Sequence, residues 1–363
     1  MSAFEELGAA YRDRSIPDGR KAIGLMGATI PVELVLASGA VPLAIAAAPD
    51  GPTPTADRYL EDHFDGEVRA TLQALLEGAF RGLDLLVLAR SSDAYLELYY
   101  VLKEIVRLGG GEAIPPLHLY DLLHGRSDAN RAYGLARLRE LASRLEATTG
   151  VSVTSERLRA ATRQTNLQRA SVNRLLEARR DPASGISGVE AMTAIGAGRF
   201  LDLARHAALV DTYLAEPRPT LEHRPRVLLA AGVALSNLDL HEALESGSAL
   251  VVGEDDAWGS RAGGELVDES AADIFEAVFD KHFYDLPSPR LSPAAARDEW
   301  LRAELGRSRP DALAVYIPRS DTWFGWDFPR LRSLAAEAGV PTLLLRDHDP
   351  AVVRAFFAEA AHR

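Results

Sequence analysis

The chain has 363 residues, 40 Lys and Arg against 52 Asp and Glu, a net charge of −12, and no cysteine. The length favours more than one packed core, and the negative balance argues against a general binder of nucleic-acid backbones. Without cysteine there is no disulfide, no CxxC zinc or redox site, no thiolate nucleophile and no cysteine-held iron–sulfur cluster. The opening MSAFEELGAAYRDRSIPDGRKAIG has no uninterrupted apolar segment behind a basic start, so a cytoplasmic protein without signal peptide is expected. The longest apolar stretch, Leu34 to Ala48, is broken by Ser38, Gly39 and Pro42 and is shorter than the roughly 20 residues of a membrane helix.

In chain order, Lys21 to Gly27 reads as a strand, and Thr29 with Pro31 starts a helix that runs to Gly39, Pro being pre-set for a first turn. Ala40 to Ala47 is a strand, Ala56 to Phe80 carries helical spacing, and Leu83 to Arg90 is a continuous apolar run suited to a buried parallel strand. Tyr95 to Leu108 is helical, and IPPLHLYDL supplies a further strand. From Ala129 to Leu214 the Arg/Ala/Leu-rich segments are helical, with Thr154 as a cap and Asp181 to Gly188 as a break. After the Pro-rich Ala215 to Arg226, strands return at Val227 to Gly232, Ser248 to Gly253, Ala312 to Pro318 and Pro341 to Arg346, and a helix from about Ala351 to Ala361 closes the chain. The alternation predicts an α/β protein with two Rossmann-like, flavodoxin-like parallel-sheet lobes and a helical section between them. The boundaries are 1–128 for the first lobe, 129–214 for the helical section, 215–225 for a linker and 226–363 for the second lobe.

Ligands of such lobes bind beyond the carboxyl ends of the strands, which directs attention to four polar loops. These are Gly27 to Glu33, Arg90 to Asp93, Gly253 to Arg261 and Pro318 to Phe324. A Ser-Asp pair after a strand either faces a ligand or caps the next helix. Gly259 offers close backbone approach and Arg261 a bidentate cation, unless that Arg ties its loop to Asp255 or Asp256. No GxGxxG follows the first strand, and GxxxxGK[ST], HExxH and GxSxG are absent, so the common dinucleotide, P-loop, zincin and α/β-hydrolase readings lose their signatures. His63, His118 and His348 are the histidines near these loops, and an isolated His is more often a surface or satisfied core residue.

Taken in order, the loops resemble the D-component family of 2-hydroxyacyl-CoA dehydratases, which also contains benzoyl-CoA reductase subunits. The likeness runs from about Gly24 to Phe357. GLMGATIPVELVLASGAVPLAI is similar to the family's opening through Pro31, Glu33, Gly39 and Pro42, with Val32 in place of an acid. The helical section matches at Asn166, Arg169 and the Ser187-Gly188-Glu190 turn, and ALVVGEDDAWGSR matches at Asp256, Gly259, Ser260 and Arg261. The resemblance implies substrate-binding candidates Thr29, Glu33, Asp256, Ser260 and Arg261. Family members hold a [4Fe-4S] cluster through cysteines of three loops, and at those positions this chain carries Asp65, Ser92 and Ser320, with Arg69, Asp93 and Asp321 beside them. Hard oxygen donors do not replace thiolates on such a cluster, so no iron–sulfur cofactor is expected.

The resemblance implies a non-redox subunit that pairs, as a heterodimer, with a cysteine-bearing homologue and supplies an acyl-CoA or substrate wall. The alternatives are a stand-alone acyl-CoA or small-molecule binder or scaffold in a homodimer, and an enzyme in which Asp65, Asp93 and Asp321 hold a hard cation such as Mg²⁺.

Overall fold

The structure is a computed structural model and describes residues 1–361 apart from 17–18, 48–50, 62–63, 222, 233, 286–292, 319–320 and 322. After helix α1 (Ala3–Arg12), the chain alternates β1 (Ala22–Met26), α2 (Val32–Ala37), β2 (Val41–Ala44), α3 (Gly66–Leu76), β3 (Leu85–Ala89), α4 (Asp93–Arg107) and β4 (Leu117–Tyr120). Four helices follow, α5 (Asp128–Thr149), α6 (Ser155–Arg180), α7 (Gly188–Ala197) and α8 (Leu203–Ala215). Alternation resumes with β5 (Arg226–Ala231), α9 (Asp239–Ser246), β6 (Leu250–Glu254), α10 (Ile274–Tyr284), α11 (Ala294–Ser308), β7 (Ala312–Tyr316), α12 (Phe328–Glu337), β8 (Thr342–Leu345) and α13 (Pro350–Ala361). All pairings are parallel and give two four-stranded sheets, β2-β1-β3-β4 and β6-β5-β7-β8. The α/β fold with two parallel-sheet lobes is therefore the one the apolar runs announced.

Two compact units form around these sheets, one from Asp13–Leu167 with Glu265–Leu291, the other from Met1–Arg12, Gln168–Gly264 and Ser292–Arg363. In the first, every residue of β1 and β3 is buried, as expected of central strands covered on both faces. Pro42 is tolerated in β2 because that strand lies at the sheet edge. The core joins Ile23, Val87 and Tyr120 to Leu135 and Leu138 of α5 and to Ile274, Val278, Phe279 and Phe283 of α10. Thus α10 follows β6 in sequence but packs with the first sheet. Gly134 is required there, since a Cβ at that position would stand 2.4 Å from the Phe279 ring. Ion pairs from Arg131 to Glu276 and Asp280 at 3.2 and 2.8 Å hold the outer face of α10.

In the second unit, β5, β6 and β7 are almost wholly buried. Helix α1, which the sequence reading did not identify, packs on α7 and α8 through Leu7 and Tyr11. The Ser187-Gly188-Glu190 turn is a capping box at the start of α7. Its glycine is needed because a Cβ would meet Val251 at 2.5 Å.

Two local expectations are corrected. The helical spacing from Ala56 to Phe80 yields a continuous α-helix only from Gly66 to Leu76, preceded by a 3-10 turn at Ala56–Arg58. The Gln73 amide oxygen accepts the Thr55 and Ala56 N–H groups and Thr53 donates to Asp57, so side chains complete a separate turn where a helix would otherwise continue. The helix after Pro31 stops at Ala37 rather than Gly39, because Gly39 takes φ +77° and turns the chain into β2.

Candidate functional site

In the first unit the strand order reverses between β1 and β3, and the loops beyond their carboxyl ends bound the crevice where such sheets bind ligands. The two loops meet at Gly27, whose φ is +108° and whose Cβ would stand 2.8 Å from Ala89 Cβ and 3.0 Å from Ser91 Oγ. Glycine is the residue that permits both the conformation and the approach. Thr29 follows, 1% exposed, and its hydroxyl has no hydrogen-bond partner among the described residues. Glu33 lies in the first turn of α2 and is fully buried. Its Oε1 accepts the Thr165 hydroxyl at 3.1 Å, and its Oε2 stands 3.0 Å from His282 Nε2. A buried carboxyl requires such partners.

Of the three positions that the resemblance aligns with cluster ligands, Ser92 has a structural role of its own. Ser92 caps α4, its Oγ accepting the Tyr95 N–H at 3.2 Å, with Asp93 in the favourable first turn. Asp65 occupies the N-cap of α3 without a side-chain cap bond. Arg69 pairs with Asp57 at 2.6 Å, and the Tyr95 hydroxyl donates to Glu67 at 3.3 Å, linking the first turns of α3 and α4. Ser320 lies outside the described residues. Asp321 closes the turn at Phe324–Asp327 by accepting the N–H groups of Phe324 and Gly325 at 3.1 and 2.7 Å. Among the described residues, no group of three or more His, Asp or Glu side chains is placed to hold a metal ion. A donor set of Asp and Ser, with the Ser92 oxygen already engaged as a cap, does not fit a [4Fe-4S] cluster.

At the end of β6 in the second unit, the family-like Gly-Ser-Arg motif builds a charged core. Arg179 donates to Glu254 at 2.9 and 3.2 Å and to Ser260 Oγ at 3.0 Å. Ser260 also accepts the Glu254 N–H, and His241 Nε2 stands 3.5 Å from the same carboxylate. Burial pushes the Glu254 carboxyl up, but the Arg179 charge together with His241 outweighs it and holds the group down at about 2. Gly259 is required here, because a Cβ would stand 1.7 Å from Glu254 Oε1. That glycine makes room for a carboxylate of its own chain. Arg261 pairs with Asp255 and stacks over Trp300 at 4.4 Å, which is the loop-tying role left open above. Asp256 is 5% exposed and accepts the Trp258 N–H at 2.7 Å. Burial raises its carboxyl to about 6 against the lowering effect of that hydrogen bond.

Of the histidines near the loops, His118 lies in β4 and is pushed below its ordinary value by burial, His348 packs at a tilt against the Tyr316 ring with centroids 5.2 Å apart, and His63 is outside the described residues. The sequence reading did not single out Arg179, His241 or His282. The only local signal for His282 is its place among the apolar positions of FEAVFDKHFY. No helix of the described residues is long and apolar enough to cross a membrane.

No curated protein sequence matches the chain. The model of the family described as 2-hydroxyglutaryl-CoA dehydratase, D-component, matches residues 28–349, a span that takes in the loops after β1, β3, β6 and β7, and the chain belongs to that family.

Proposed function

We propose that this chain is a cluster-less, non-redox member of its family, which pairs with a cysteine-bearing homologous subunit and takes part in acyl-CoA dehydration or reduction by binding the acyl-CoA. The crevice beyond β1 and β3 receives the acyl portion, with Thr29 as the hydroxyl that meets it and Glu33 as the fixed carboxyl behind. The observation that carries this reading is the Thr29 hydroxyl, buried at that crevice and without a hydrogen-bond partner among the described residues. By contrast Ser260 and Arg261 are engaged within their own unit. A buried hydroxyl left unpaired costs free energy that a ligand's polar group recovers.

Co-expression with a cysteine-bearing homologue, followed by size-exclusion chromatography and calorimetry with a panel of acyl-CoAs, tests it. The expected result is a heterodimer that binds acyl-CoA, with Thr29→Val weakening affinity by about 1–2 kcal/mol. A chain that elutes as a homodimer and binds no acyl-CoA in either form replaces this reading with that of a scaffold.

A further inference from the structure

A groove of about 560 Å³ lies at the opposite end of the second sheet, where Pro310 and Val340 lead into β7 and β8. The last turns of α11 and α12 form its sides, and Leu305 and Leu334 give it an apolar floor. Gly306 leaves the floor bare, for a Cβ at that helical position would meet no atom within 4 Å. The volume falls within the range of small-molecule sites.

Arg309 stands at the mouth. It is the C-cap of α11 with φ +43°, a left-handed conformation that glycine adopts without the steric cost an Arg bears. Its side chain is exposed and makes no ion pair among the described residues, whereas the other cation of the groove, Arg302, faces Glu337 at 3.5 Å. A glycine would end α11 with less backbone strain, whereas an Arg there also meets the negative end of the helix dipole. A strained, unneutralised cation over an apolar floor carries one net positive charge to complement.

We propose that this groove binds a small amphipathic carboxylate, its apolar tail on Leu305, Leu334 and Val340 and its carboxylate on Arg309. The site is separate from the crevice beyond β1 and β3 and does not depend on the function proposed for it.

Calorimetry of the full chain with octanoate, octanol and octylammonium tests the assignment. Octanoate binds at one site, and the other two bind about tenfold more weakly or not at all, the effect of losing a charge-assisted hydrogen bond. Arg309→Gly weakens octanoate about tenfold while raising the thermal midpoint, since the left-handed backbone is relieved. Gly306→Phe fills the groove from an open helical position, so the fold is kept and octanoate binding is lost. Absence of octanoate binding to the unaltered chain, equal binding of octanol, or octanoate affinity retained in Gly306→Phe each overturns the proposal.

Discussion

Arg179 and Glu254, 75 residues apart in sequence, form an ion pair at 2.9 Å with side chains only 1% and 0% exposed. The pair lies beneath the Gly259-Ser260 motif, and Ser260 takes part in it. Part of what the family resemblance preserves in this chain is thus an internal clamp on the loop after β6.

Removing one member of that pair leaves the other buried without a countercharge. Glu254→Gln and Arg179→Met are each expected to destabilise the protein by about 3–5 kcal/mol, while the double variant loses less than the sum. Urea unfolding of the four proteins in a double-mutant cycle measures the coupling. Strict additivity contradicts the clamp.

Two carboxyls two residues apart, Glu254 at the end of β6 and Asp256 in the loop after it, give opposite pH dependences. Glu254 is held at about 2 in the folded protein, below its unfolded value, so its contribution is present above pH of about 4.5 and is lost as pH falls towards 2. Asp256 is raised to about 6 from 3.8, so the folded state holds the extra proton between those values and stability falls as pH rises through that window. This loss is on the order of 2–3 kcal/mol. Denaturant unfolding at intervals from pH 3 to 8 is expected to show the fall between about 4 and 6, with Asp256→Asn flattening it. An unchanged slope in the variant would assign the effect elsewhere.

Glycines that look alike in sequence differ in what surrounds them. Gly259→Ala places a Cβ 1.7 Å from Glu254 Oε1 and is expected to cost more than about 2 kcal/mol through displacement of the buried pair. Gly306→Ala, in a helix with open space at the Cβ, is expected to stabilise by about 0.5–1 kcal/mol. Thermal unfolding of the two variants checks the contrast in sign.

Asn166 matches Val267 as a neighbouring strand would, its Nδ2 donating to Val267 O at 2.8 Å and its Oδ1 accepting Val267 N–H at 3.0 Å. Val267 is buried, so no water replaces the lost partner. Asn166→Ala is expected to cost about 2–3 kcal/mol and to raise hydrogen exchange at the Val267 amide, while the amides of β1 and β3 keep their protection relative to the lowered global stability. Unchanged exchange at Val267 would show that this side chain does not hold the segment.

The sequence by itself determined features that depend on a residue and its near neighbours. Continuous apolar runs such as LDLLVLAR specify buried parallel strands, because both faces of β3 are covered. Thr154 caps the helix that follows it through the N–H group three residues away, and a chain without cysteine cannot ligate a cluster through thiolates. Tertiary structure decided the rest. That Gly259 serves Glu254 and that Arg261 ties to Asp255 depends on how the loop folds back on β6, and neither alternative is favoured by the order of the residues alone. Glu33 meets His282 across 249 residues because α10 packs with the first sheet. No periodicity reports such a pairing, since amphipathic spacing tells a helix which face to bury and not which core receives it.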